Sequence, residues 1–212
     1  MAEPFYFHTQ FNLVEILNKK SKNVIELLEG IKVVPDSSIF YHTHKFLEQH
    51  HYLLPEPAND FAYWISDVLE EKTLGEEIGS VDIVDFPSIR ELRNRFIEIL
   101  EEHIDKNRPV RNCTEGSEFH FMACKTFILP TPYIAHNLKE FKEILRKISK
   151  SSLYFHIFEA RIRLGKVDND FSRWLRDLGK DRIAAEISHL DPYTYTLEGL
   201  REKIISIICK EN

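Results

Sequence analysis

A mainly α-helical fold of two homologous halves, with short extended segments at the start of each half, is what this sequence predicts, and three observations predict it. The chain repeats itself: Asn59-Asp60-Phe61-x-x-Trp64-x-x-Asp67 returns as Asn169-Asp170-Phe171-x-x-Trp174-x-x-Asp177. The repeat keeps its spacing, with Phe5-x-Phe7/Phe119-x-Phe121, Asn23/Asn137, Ser37-Ser38/Ser151-Ser152 and His42/His156 all at an offset of 114. That offset shortens to 110 at the Asp-Phe-x-x-Trp motif, 109 at Glu77/Glu186 and Asp82/Asp191, and 108 at Leu92-Arg93/Leu200-Arg201, so insertions fall between elements. Apolar residues then recur at helical period, while 7 Gly and 9 Pro among 212 residues leave little material for a turn-rich β fold. The boundaries read as a first repeat over 1–104, a linker over 105–118 carrying Asn107, Pro109, Asn112, Gly116 and Ser117, and a second repeat over 119–212, the halves packed as one globular unit.

Phe5-Tyr-Phe7 and Phe119-His-Phe121 alternate at period two and read as short extended segments that could pair with each other. Residues 11–17 also admit a helix in the first copy, but Pro130 and Pro132 would break it in the second. Asn23 and Asn137 are good caps for helices carrying Val24, Ile25, Leu28 and Leu138, Phe141, Leu145. The next helix starts at the paired serines. Asp60 and Asp170 sit where an N-cap belongs, ahead of Phe61, Trp64, Ile65, Val68 and Phe171, Trp174, Leu175, Leu178, the i, i+3, i+4, i+7 stripe of one buried face. A short helix follows with Leu74, Ile78, Val81 or Ile183, Ile187, Leu190. The last helix repeats Ile89, Leu92, Phe96, Ile97, Leu100 as Leu197, Leu200, Ile204, Ile205, Ile208.

Composition narrows the function classes. No run approaches a membrane span, and the start has no basic segment followed by an apolar stretch, so a cytoplasmic protein is expected. Cys113, Cys124 and Cys209 have no metal-ligand spacing and fit reduced thiols. The net charge of −6 divides unevenly: 9 Lys/Arg against 19 Asp/Glu in residues 1–104, and 19 against 15 in 105–212. Opposite signs suit halves that attract each other, or one half docking on the other in a homodimer; the sharper reading is an anionic small molecule or an acidic protein surface at the second half. Lys139, Lys142, Arg146 and Lys150 line one helix face there, with Arg161, Arg163, Arg173 and Arg176 beyond. An acidic chain without a known motif argues against nucleic acid. There is no Gly-rich phosphate loop, Gly-x-Ser-x-Gly, Cys-x-x-Cys or His-Glu-x-x-His, so no cofactor is expected.

The duplicated polar residues are the candidate ligand-binding set: His42, His156, Trp64, Trp174, Arg93 and Arg201, with Arg161 added from the basic second half. Each His shares a helix side with apolar neighbours, which suits an acid, base or ligand group, or an imidazole satisfied by a backbone group or carboxylate. Trp64 and Trp174 offer an indole to stack on a ring beside a carboxylate that binds hydroxyls or a cation; the structural reading makes them core anchors. For Arg93 and Arg201 the matching acids Asp67/Asp177 and Asp82/Asp191 are the natural partners, as structural ion pairs. His44, Glu48 and His51 lie at i, i+4, i+7 and would make a single-copy metal site, but Phe158 and Ile162 replace His44 and Glu48 in the second copy, so the expectation is no metal.

Ser-Ser-Ile-Phe-Tyr-His42, Asn-Asp-Phe-Ala-Tyr-Trp64 and Ser-Ile-Arg-Glu-Leu-Arg93 together resemble a bacterial family catalogued only as a domain of unknown function, over nearly the whole chain. The resemblance implies a bacterial, cytoplasmic protein and supplies no catalytic residues. The function expected is a binding or regulatory module without catalytic activity. The alternative is an enzyme or metabolite-binding protein with a site at the cleft between the halves. A deep pocket where duplicated His and Arg side chains converge would favour the alternative; internally bonded side chains favour the first.

Overall fold

The computed structural model describes residues 2–45, 58–106, 110–160, 168–190 and 194–210, without the side chain of Val84. Its elements run β1 (Phe5–Ser21), α1 (Val24–Val33), α2 (Asp36–Phe40), α3 (Asp60–Tyr63), α4 (Lys72–Gly79), α5 (Ile89–Asp105), β2 (Phe119–Ala135), α6 (Leu138–Leu145), α7 (Lys150–Tyr154), α8 (Asp170–Asp177), α9 (Asp181–Ser188) and α10 (Leu197–Cys209). Helices α2, α3 and α7 pass directly into wider π turns at Tyr41–Lys45, Trp64–Val68 and Phe155–Glu159.

One expectation is overturned. The chain is mainly α, but its extended segments are not short: they are strands of 17 residues each, paired in an antiparallel two-stranded sheet. Residues 11–17 belong to β1 and are not helical. The period-two signal fades along the strands because their middles are exposed on both faces, leaving Phe11, Leu13, Val14 and Ile16 open to solvent beside polar neighbours. Pro130 and Pro132 are tolerated because each strand of a two-stranded sheet has a free edge that needs no N–H donor.

Residues gather in two compact units whose borders fall inside the strands. Unit I is Met1–Asn12 with Thr126–Asn212, and unit II is Leu13–Lys125. In unit I the start of β1 lies against the helices of the second repeat. Phe5 and Phe7 pack on Phe141, both with ring centroids 5.4 Å away, and Phe141 stacks on Trp174 at 4.9 Å. Asn12 and Thr126, which hold equivalent places in the two copies, meet there through a 2.7 Å bond. In unit II the start of β2 does the same for the first repeat: Phe119 stacks on Phe61 at 5.2 Å, and Phe61 meets Phe96 edge-on at 5.7 Å. Each fully buried aromatic side chain contributes roughly 1.5–3 kcal/mol by leaving water.

Cap chemistry corrects a second detail. The N-caps of α3 and α8 are Asn59 and Asn169, whose side chains accept the N–H of Ala62 and Ser172 at 2.8 and 3.0 Å. This frees Asp60 and Asp170, in the first turn, for another partner. Asn23 and Asn137 cap α1 and α6 as the sequence predicts, each accepting at 2.9 Å. The paired serines lie one residue inside α2 and α7, which open at Asp36 and Lys150.

Candidate functional site

The freed aspartates hold the duplicated histidines. In unit II the His42 Nδ1 lies 2.6 Å from Asp60 Oδ2, and its Nε2 accepts the backbone N–H of Met122 at 2.9 Å. In unit I the His156 Nδ1 lies 2.8 Å from Asp170 Oδ2, and its Nε2 accepts the N–H of His8 at 2.9 Å. A backbone N–H can only donate, so Nε2 carries no proton. The imidazole is neutral and its Nδ1–H points at the carboxylate. Both rings are almost fully buried, within the π turns that follow α2 and α7. Ser152 adds a third grip, donating to the His8 carbonyl at 2.6 Å.

The tryptophans hold the segments that lead into the same strands. Trp64 donates its indole N–H to the Ser117 carbonyl and Trp174 donates to the Glu3 carbonyl, both at 2.8 Å. Each copy therefore has a pocket of His, Asp, Trp and Phe, and a β-strand occupies it. Arg93 and Arg201 act elsewhere, at the C-terminal ends of α1 and α6. Arg93 donates to the Ile31 carbonyl at 3.2 Å and pairs with Asp36 at 2.7 Å. Arg201 donates to the Leu145 and Ile148 carbonyls at 2.5 and 2.8 Å and pairs with Glu198 at 2.9 Å. A cation belongs there, where helix carbonyls have no further N–H to accept. The acids on these arginines are thus Asp36 and Glu198, while Asp67 holds Lys72 at 3.1 Å.

Of the metal candidates, His44 is buried and stacked on Phe40, and burial lowers its pKa to about 3. Glu48 and His51 lie outside the described residues, as do Arg161 and Arg163. Among the described residues no group of three His, Cys, Asp or Glu side chains could hold a metal ion. On the basic face of the second repeat Lys139 and Arg146 are exposed, and Arg176 is paired with Asp168.

One cleft, of about 530 Å³, opens in unit I, a size that suits a small molecule. Tyr6, Ile128, Phe155 and the indole of Trp174 give it apolar walls; Glu3, Asp170, Arg173 and Asp177 give it charge. His156 also lines it, with both ring nitrogens engaged. The sequence singled out His156 and Trp174, which the structure brings to this cleft, and Arg93 and Arg201, which it does not. Sequence reasoning missed Asp177 as a lining group and saw Arg173 only as part of a basic face. A signal was available: inside a motif otherwise shared by both copies, Arg173 stands where the first copy has Tyr63.

A model of a family of unknown function, DUF5752, matches residues 2–209. Among solved structures, that of OrfY from Thermoproteus tenax is similar over 98% of this chain and 95% of its own, with 26% sequence identity and a TM-score of 0.82. Among curated proteins there is no match.

Proposed function

The chain belongs to the DUF5752 family of unknown function, and from its own residues we propose that it is a binding module without catalytic activity, whose small-molecule site is the cleft of unit I. The observation that carries this reading is the bonding of His156. An imidazole serves as general base or nucleophile through an unprotonated nitrogen within reach of the reacting atom. The acceptor nitrogen of His156 is 2.9 Å from the N–H of His8 and its other nitrogen is on Asp170, so proton transfer would require the strand to come away first. The cleft keeps what binding needs: a concave volume, apolar walls and a few charged groups. A cytoplasmic setting is part of the proposal. It is supported by three cysteines that form no disulfide and, among the described residues, by the lack of any helix long and apolar enough to cross a membrane.

The test is a thermal-shift screen of the full chain against small polar molecules grouped as anions, cations, zwitterions and neutral compounds. The anion that the basic second repeat suggests is one arm of it. At least one group should raise the midpoint, since a ligand at 100 times its Kd stabilises the folded state by about 2.7 kcal/mol. The gain should shrink when Ile128→Glu or Arg173→Tyr alters the cleft. No shift in any arm, a shift that both variants leave intact, or conversion of the bound compound to a product would each count against the proposal.

A further inference from the structure

Resting on that cleft being a ligand site, we infer that it takes a small zwitterion of the α-amino-acid class, with the carboxylate on Arg173, the ammonium on Asp177 and an apolar or aromatic side chain against the wall. Arg173 and Asp177 are four residues apart on α8, hence neighbours one turn along the same face, about 5–6 Å between their Cβ atoms. Both line the cleft, yet they do not pair with each other, and neither side chain has a hydrogen bond or ion pair with any described residue. Of the charges around them, Arg176 pairs with Asp168 and Asp170 with His156, while the Glu3 carboxylate, which also lines the cleft, stays open.

The other copy shows the same position without this pair. There Arg173 is replaced by Tyr63, and the counterpart of Asp177, Asp67, is neutralised by Lys72 at 3.1 Å. In unit I, by contrast, Arg173 and Asp177 leave one positive and one negative side chain open, one turn apart, at a cleft. A planar guanidinium takes a carboxylate through two parallel N–H donors, and an aspartate takes an ammonium as a charge-assisted acceptor. The wall supplies the remaining specificity. The Trp174 N–H is already bonded to the Glu3 carbonyl, so its ring offers only its apolar face, beside Tyr6, Phe155 and Ile128. A plain anion would meet Glu3, Asp170 and Asp177, and a plain cation would leave Arg173 without a counter-charge; a molecule bearing both charges meets a partner for each.

Isothermal titration of the full-length protein at pH 7 tests this with L-phenylalanine, L-leucine, phenethylamine, 3-phenylpropionate and inorganic phosphate. At least one of the amino acids should bind about tenfold more tightly than the amine or the acid alone. Arg173→Tyr, which installs the residue of the other copy, should erase the advantage over the amine, and Asp177→Asn the advantage over the acid; Lys139→Ala, on α6, should change neither. Equal or tighter binding of the amine, the acid or phosphate would overturn the zwitterion, and if that binding still weakens in Arg173→Tyr or Asp177→Asn the cleft itself survives as a site. Absence of amino-acid binding overturns it as well. Should some other compound bind with an affinity that neither these variants nor Ile128→Glu alters, the cleft reading fails too.

Discussion

His42 and His156 show how one residue type can take a role opposite to the one its chemistry suggests. A buried imidazole beside a carboxylate is a familiar catalytic pair, but here the remaining nitrogen accepts a strand N–H and the ring works as a clamp. Removing it leaves a strand N–H without its acceptor and takes one hydrogen bond from the aspartate. His156→Ala should cost roughly 2–5 kcal/mol, from the core cavity it opens and the strand N–H it leaves without an acceptor. His42→Ala should cost less, because the Asp60 side chain is 30% exposed and can be rehydrated, against 11% for Asp170. Urea denaturation of the two variants checks both the size and the order, and equal losses would refute the distinction. The sequence offers an imidazole held by a backbone group or carboxylate as the structural reading of these histidines. It could not show which groups do so, since His42 and Met122 are 80 residues apart and His156 and His8 are 148 apart.

At the scale of elements, helix starts were legible and strand lengths were not. Capping is local, so Asn23 and Asn137 announce their helices; Asn59 and Asn169 were overlooked only because an acid stands next to each. The strands carry their apolar residues on both faces at their exposed middles, where alternation no longer reports a buried side. Helix α1 shows the reverse case, a residue whose reason lies wholly in tertiary contact. A Cβ on Gly30 would stand 2.2 Å from Cζ of Phe121, so the ring at the start of β2 rests directly on the helix backbone. In an exposed helix Gly→Ala stabilises by roughly 0.5–1 kcal/mol. Here Gly30→Ala should instead destabilise by about 1–3 kcal/mol through overpacking, read as a lower melting temperature. A raised midpoint would show that Phe121 can move aside freely.

For the whole molecule, the duplication produces two units that are not the two repeats. Unit I takes residues 1–12 from the first repeat, and Phe119 to Lys125 of the second repeat belong to unit II. A chain lacking residues 1–12 should therefore lose hydrogen-exchange protection first in α6, α8 and α10, far along the sequence, while α1 and α5 keep theirs; loss confined to the first repeat's helices would contradict the exchange. The sequence by itself determined the repeat, the order and register of the helices, the Asn23 and Asn137 caps and the mainly helical content, because these follow from periodicity and from contacts within a few residues. Only the tertiary structure decided that the extended segments are long paired strands, that each completes the unit built from the other copy's helices, and that Arg173 and Asp177 face one cleft. Those outcomes rest on burial and hydrogen bonds between residues up to 171 positions apart, as from Trp174 to Glu3, and no local pattern encodes them.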